Sequence, residues 1–117
     1  MSWIKTIPAA ALAGEGVACA EAGGHRIALY DVDGAYYATA DICTHGRAFL
    51  SDGYLDGHLI ECPLHQGLFD VRTGAPAGAP CTVAVRSFPV KLEDGMLYVE
   101  AGGGEVDGGE VGGGDGV

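Results

Sequence analysis

Three of the Asp-Gly pairs in this chain each separate two short apolar segments, and these pairs limit what the chain can fold into. The pairs are Asp33-Gly34, Asp56-Gly57 and Asp94-Gly95, and each lies between two segments rich in apolar residues. A two-residue Asp-Gly connection between such segments is a strong signal for a β-hairpin. The predicted pairs of strands are Arg26–Val32 with Tyr36–Thr39, Tyr54–Leu55 with His58–Glu61, and Val90–Leu92 with Met96–Val99.

The rest of the chain adds strands and little helix. Trp3–Ile7 alternates large and polar residues, as a half-buried strand does, and Val17–Ala20 precedes the turn signal Gly23-Gly24. Only Ala9–Leu12 has a helical composition, and this segment is too short for a stable helix. The spacing of strands and turns therefore predicts an all-β antiparallel sandwich or barrel.

Composition separates the chain into one domain and a tail. The chain has 117 residues, of which 48% are hydrophobic, and this is enough for a single domain with its own core. From residue 102 onward the composition changes, since nine of the last 16 residues are glycine and four are acidic. We predict a folded domain over residues 1–101 and a flexible acidic Gly-rich tail over residues 102–117.

The formal net charge of −10 narrows the range of partners. Such a charge repels nucleic acid and anionic membrane surfaces, so we expect neither as a partner. A protein with a basic docking patch is the natural complement, although the acidity also fits a role in solubility alone. No apolar run is long enough to cross a bilayer, and Ile7–Leu12 makes a poor signal-peptide core because Gly14–Gly16 interrupt it. These features predict a cytoplasmic protein.

Two short segments combine cysteine with histidine. Cys43-Thr44-His45 is followed, after sixteen residues, by Cys62-Pro63-Leu64-His65. Two thiolates and two imidazoles suit zinc, iron or an iron–sulfur cluster, and they do not suit magnesium or calcium. Structural zinc sites more often have a cysteine pair followed by a histidine pair. Here each arm supplies one of each, which allows one iron with two thiolates and another with two imidazoles. A structural zinc site on the same residues, or buried cysteines and histidines without metal, remain alternatives.

The segments around these arms resemble one known family. The segments that carry the resemblance are Cys43–Gly46, Ser51–Leu55 and Ile60–Asp70. The family is that of the Rieske proteins, and the resemblance is strongest to the ferredoxins of bacterial ring-hydroxylating dioxygenases. The resemblance implies a Rieske-type β-sandwich with a cluster-binding subdomain at about residues 40–80. It also implies that Gly74–Pro80 forms a third loop, which shields the cluster. One 2Fe–2S cluster per chain would be held by Cys43, His45, Cys62 and His65.

The same resemblance implies a function. It indicates a one-electron carrier that docks transiently, first with a flavoprotein ferredoxin reductase and then with the terminal oxygenase of a system that degrades aromatic compounds. We expect no catalytic residues in the chain itself, because the sequence has no flavin or nicotinamide fingerprint. An accessory Rieske subunit of another reductase or oxidase, or a zinc-stabilised interaction module, are the alternative functions.

The residues near the arms predict a low reduction potential. Histidine ligation places such clusters at roughly −150 to +300 mV. High-potential members of the family carry an additional cysteine in each arm and Ser and Tyr hydroxyl donors after the second histidine. This chain has Arg47-Ala48 and Leu64 where those cysteines would be, and Gln66-Gly67 and Phe69 where the hydroxyl donors would be. The missing donors predict a potential toward the roughly −150 mV end of the range.

The other cysteines and histidines are not expected to bind the cluster. His25 and His58 are predicted to be ordinary surface residues. Cys19 and Cys81 are predicted to be small buried apolar residues.

Overall fold

The computed structural model describes residues 3–44, 48–64, 66–78 and 83–101. Within these ranges the chain forms eleven strands and two single-turn 3-10 helices, Ala9–Leu12 and Leu50–Asp52. No helix in the described ranges is long and apolar enough to cross a membrane. The strands are β1 (Trp3–Pro8), β2 (Val17–Ala22), β3 (His25–Val32), β4 (Ala35–Ala40), β5 (Tyr54–Asp56), β6 (Leu59–Glu61), β7 (Leu68–Asp70), β8 (Pro76–Gly78), β9 (Ser87–Phe88), β10 (Val90–Glu93) and β11 (Met96–Glu100).

The strands form three antiparallel sheets, which confirms the all-β prediction. Their orders are β1-β11-β10, β2-β3-β4-β9 and β5-β6-β7-β8. We call them the terminal sheet, the central sheet and the loop sheet. Strands β4 and β5 lie before and after the segment that carries Cys43 and His45, and β6 and β7 lie before and after the segment that carries Cys62 and His65.

The three predicted hairpins are present, and the turn residues explain two of them directly. Asp33 and Gly34 have φ values of 52° and 89°, and Asp94 and Gly95 have φ values of 53° and 79°. Two consecutive positive φ angles match the right-handed twist of the flanking strands. In the third hairpin Asp56 pairs with Leu59, so the turn begins one residue later than predicted.

Strand β3 lies between two apolar clusters and is buried on both faces. Ile27 and Leu29 belong to one cluster, which we call the sandwich core, together with Leu97 and Val99 of the terminal sheet. The alternate β3 residues Ala28 and Tyr30 belong to a second cluster, the site core. The other members of the site core are Val17, Cys43, Leu50, Ile60, Cys62, Phe69, Val71 and Val85. The continuous apolar run of β3 reflects this double burial.

The segment predicted as a third loop contains a short strand. Residues Pro76–Gly78 form β8 and pair with β7 at the edge of the loop sheet. Proline is tolerated there because an edge strand does not need every amide for the ladder. Residues 79–82 lie outside the described residues, so the shielding role stays a prediction. The same holds for the 102–117 tail, which also lies outside them.

Two contacts fasten the segment that follows β8. Val85 donates its amide to the carbonyl oxygen of Gly74 over 2.9 Å. The Thr44 hydroxyl donates to the carbonyl oxygen of Val83 over 2.6 Å, across 39 residues of sequence. The second contact joins the loop after Cys43 directly to residues 83–86.

Substitution of Gly74 by alanine is expected to destabilise the fold more than the same change at Gly24. Both glycines have positive φ, at 86° and 84°, but a Cβ at Gly74 would overlap the carbonyl oxygen of Val85, whereas Gly24 faces open space. We expect Gly74→Ala to lower the free energy of unfolding by about 2 kcal/mol more than Gly24→Ala. Urea unfolding of both variants measures the difference. Equal losses would show that the Val85 backbone moves aside at little cost.

Replacement of Thr44 by valine is expected to loosen residues 83–86. The change keeps the shape of the side chain and removes a hydroxyl bond worth about 1 kcal/mol. Amides in this segment should then exchange with deuterium about fivefold faster, because local opening becomes easier. Thr44→Ser retains the hydroxyl and serves as the control. Unchanged exchange in the valine variant would show that the bond does not hold the segment.

Candidate metal centre

The first loop with a predicted ligand is a hairpin closed at its neck. Ile42 pairs with Phe49 in an isolated antiparallel bridge. Directly inside this bridge, Cys43 donates its amide to the carbonyl oxygen of Ala48 over 2.9 Å. The Cys43 side chain is 3% exposed. The backbone therefore turns back on itself immediately around the first predicted ligand.

The second loop is closed in the same way. Glu61 pairs with Leu68 at the end of the β6–β7 ladder. Directly inside this pair, Cys62 donates its amide to the carbonyl oxygen of Gly67 over 2.7 Å. In both loops the bridge joins residues seven positions apart, and the cysteine amide bonds the residue five positions later. The two arms are thus closed at their necks by the same pair of backbone contacts.

The two cysteines face each other inside the site core. Cys62 is fully buried and Cys43 nearly so, both belong to the site core, and Cys43 is one of the groups that act on the Cys62 thiol. Both thiols are free of disulfides. The fold thereby brings together two sulfur ligands that are distant in sequence.

The apolar surroundings set the chemistry of these thiols. Burial raises the pKa of the Cys62 thiol to about 11, and the Leu64 amide, which donates to its Sγ over 3.4 Å, acts in the opposite direction. A thiol in this position is protonated at neutral pH unless a cation replaces the proton. Paired buried sulfurs of this kind fit a metal centre, because bound cations compensate the charge of the thiolates.

The two predicted histidine ligands lie outside the described residues. These residues are His45, in the undescribed range 45–47 with Gly46 and Arg47, and His65. Each belongs to one of the two closed loops by sequence position. The four-residue ligand set, Cys43, His45, Cys62 and His65, therefore stays a prediction.

Of the cysteines and histidines outside the motif, the structure describes His25, His58 and Cys19. His58 has a side chain that is 44% exposed, and His25 lies at the start of β3 beside the Phe88 ring. The prediction that Cys19 is buried is wrong, because its side chain is exposed on β2. Cys19 shares with Glu21 the outer face of an edge strand. Cys81 lies outside the described residues.

The sequence analysis missed one buried charge beside the first loop. Asp41 is fully buried, and its carboxylate accepts hydrogen bonds from Arg26 and Ser51. The available signal was an acidic residue within the apolar run that leads to Cys43, but its partners are not adjacent in sequence. Gln66, in the second loop, has a positive φ of 60° that its residue type did not indicate.

Comparison with known proteins agrees with this geometry. The family model for the Rieske [2Fe-2S] domain matches residues 2–89. The ferredoxin component of the naphthalene 1,2-dioxygenase system of Pseudomonas putida is 46% identical over 100 residues, which cover 86% of this chain and 96% of that protein. The ferredoxin component of the p-cumate 2,3-dioxygenase system of the same species is 50% identical over 80 residues, or 68% of each chain.

Solved structures show the same fold. A chain in the complex of reduced oxygenase and oxidized ferredoxin of carbazole 1,9a-dioxygenase has a TM-score of 0.78 and 42% identity, covering 90% of this chain and 97% of its own. The ferredoxin of carbazole 1,9a-dioxygenase from Nocardioides aromaticivorans IC177 has a TM-score of 0.80 and 30% identity, covering 85% and 97%. Two equivalent loops with facing buried cysteines, and a family match over most of the chain, lead to one conclusion: the protein belongs to the Rieske [2Fe-2S] family.

Proposed function

We propose that this protein is the ferredoxin component of a ring-hydroxylating dioxygenase system and carries single electrons from a flavoprotein reductase to the terminal oxygenase. The observation that carries the proposal is the pair of equivalent closed loops, each presenting a buried cysteine to the same point. The relatives reported above are ferredoxin components of such systems.

We propose Cys43, His45, Cys62 and His65 as the ligands of one 2Fe–2S cluster. A cluster bound there supplies reversible one-electron chemistry without a change in the protein's covalent structure. The contribution of the chain is to hold the two sulfurs together and to exclude water from them. The buried backbone around Cys62 and the Leu64 amide that donates to its Sγ perform this role.

A low reduction potential belongs to the same proposal. Phe69 is fully buried in the loop sheet and has no hydroxyl to donate. Ala48 and Leu64 pack partly buried against the site core where a second cysteine pair would be needed for a disulfide. With fewer hydrogen bonds to the sulfurs, we expect the potential toward the lower end of the Rieske range.

The charges of the surface support transient docking with a basic protein partner. The net charge of −10 remains after all six Lys and Arg residues are counted, and three of these, Arg26, Arg72 and Lys91, are each paired with a carboxylate. A surface of this kind favours fast, salt-sensitive encounters and disfavours nucleic acid and anionic membranes. A cytoplasmic location also stays a prediction, and the free thiol of Cys19 fits a reducing compartment.

Substitution of either predicted histidine ligand tests the assignment. His45→Ala and His65→Ala should each abolish the rhombic EPR signal of the dithionite-reduced protein, because a missing ligand leaves one iron incompletely held. Redox titration of the wild-type protein gives the potential in the same experiment. His58→Ala, at a partly exposed position outside the loops, should keep both iron and signal. A full signal in the His65 variant, or wild-type protein that binds zinc without iron, would refute the assignment.

Ionic strength tests the docking. The second-order rate of electron transfer to a purified terminal oxygenase should fall about tenfold between low salt and 0.5 M salt, since screening shortens the reach of the acidic surface. Reduction by a small uncharged mediator serves as the control and should change little. A partner rate that is indifferent to salt would show that charge does not steer the encounter.

A further inference from the structure

Asp41 joins the two ends of the first ligand loop. Its carboxylate oxygens accept hydrogen bonds from the Ser51 amide over 2.8 Å and from the Ser51 hydroxyl over 2.9 Å. Its own carbonyl oxygen accepts the Leu50 amide over 2.7 Å. Residue 41 precedes the loop and residues 50 and 51 follow it, so Asp41 accepts three hydrogen bonds across the neck of the loop.

Arg26 connects this neck to the central sheet. Its Nε donates to Asp41 Oδ2 over 2.6 Å, and its carbonyl oxygen accepts the Asp41 amide over 3.1 Å. The guanidinium lies over the ring of Phe49, 3.9 Å from its centroid, and Phe49 is the bridge partner of Ile42. Arg26 therefore contacts both strands of the neck as well as the buried carboxylate.

The pair carries no net charge, although one member is fully buried. The Asp41 side chain has no exposed surface, while that of Arg26 is 40% exposed. The hydrogen bond to Asp41 holds the pKa of the Arg26 guanidinium above its usual value. Arg26 therefore stays charged beside Asp41 and balances it.

A buried ion pair is weak support for stability, because apolar residues of similar size often serve as well. Its position indicates a different role. Asp41 is two residues from Cys43, so their Cα atoms are at most about 7 Å apart. An unbalanced charge at this range alters the free energy of adding an electron to a neighbouring centre. An apolar pair at these positions would add no charge, but it could not accept the hydrogen bonds that the Asp41 carboxylate accepts from Ser51 across the neck.

We propose that Asp41 and Arg26 are positioning residues for the iron–sulfur cluster, acting as a charge-neutral clasp on the first ligand loop. The clasp fixes the neck through Ser51 and Leu50, and it leaves the cluster without an uncompensated charge at this side. The inference rests on the proposed function, because it concerns the cluster that the loop would hold.

Two charge-changing variants test the electrostatic part of the proposal, because they should shift the ratio of reduced to oxidised protein in opposite directions. At a fixed solution potential, Asp41→Asn should raise the ratio of reduced to oxidised protein on the order of fivefold, because a nearby negative charge is removed. Arg26→Gln should lower this ratio, and by less, since water screens a partly exposed group. The double variant should return toward the wild-type ratio. Simple loosening of the loop would shift both single variants in the same direction.

Arg72→Gln is the matched control. Arg72 pairs with Asp70 through two side-chain bonds of 2.9 and 3.0 Å, and this pair is exposed and lies beyond the second loop. The control removes the same charge from the chain and should leave the ratio nearly unchanged. If Asp41→Asn does not fold, Arg26→Gln compared with Arg72→Gln still decides, because only the first should shift the ratio.

Ser51→Ala tests the mechanical part without a change in charge. It removes one bond to Asp41 and keeps the amide bond, so a chelator should extract iron several-fold faster while the reduction ratio stays unchanged. The clasp would be overturned if Asp41→Asn and Arg26→Gln shifted the ratio of reduced to oxidised protein in the same direction. It would also be overturned if their shifts were no larger than that of Arg72→Gln, or if Ser51→Ala released iron at the wild-type rate. Absence of iron and EPR signal from wild type and control alike would instead refute the proposed function, and the clasp with it.

Discussion

Burial of two thiol side chains against each other is the constraint on which the rest of the site depends. Cys43 and Cys62 lie in the same apolar cluster with almost no exposed surface. Sulfur ligands in such surroundings lose the water that would stabilise their charge, so cations must take its place. The backbone therefore brings two loops that are distant in sequence to one point.

The fold meets this constraint by closing each loop independently and then joining them through shared packing. Each cysteine amide is bonded across its own neck, and the site core fills the space between the necks and β3. The first loop has additional fastening from Asp41 on one side and from the bond between Thr44 and Val83 on the other. The second loop depends more on the β6–β7 ladder, which continues directly into its neck.

Local sequence signals predicted the parts of the fold that depend on local geometry. Asp-Gly pairs mark hairpins because the turn requires positive φ, and this requirement acts within two residues. Strands β7, β8 and β9 were missed because each has two or three residues, too few for alternation to appear, and no Asp-Gly pair marks them as one marks the equally short β5 and β6. The ligand motif was readable because its spacing and residue types are specific. The burial of Asp41 could not be predicted, because its hydrogen-bond partners Arg26 and Ser51 are distant in sequence and only the fold brings them near.

The exposure of Cys19 also could not be predicted from its residue type. A cysteine among alanines suggests a core position, but β2 is the edge of its sheet and this residue points outward. Val17, Ala20 and Ala22 of the same strand are buried, so burial of a small side chain depends on what packs against its position in the strand, which the residue type does not encode.

The double burial of β3 has a consequence for how the protein is assembled. The sandwich core contains neither cysteine ligand and is complete from its own apolar residues, including those of the terminal sheet. The site core, in contrast, includes both cysteines among its ten buried residues. We therefore expect a chain without iron to keep the sandwich core folded, with the site core joined to it through β3.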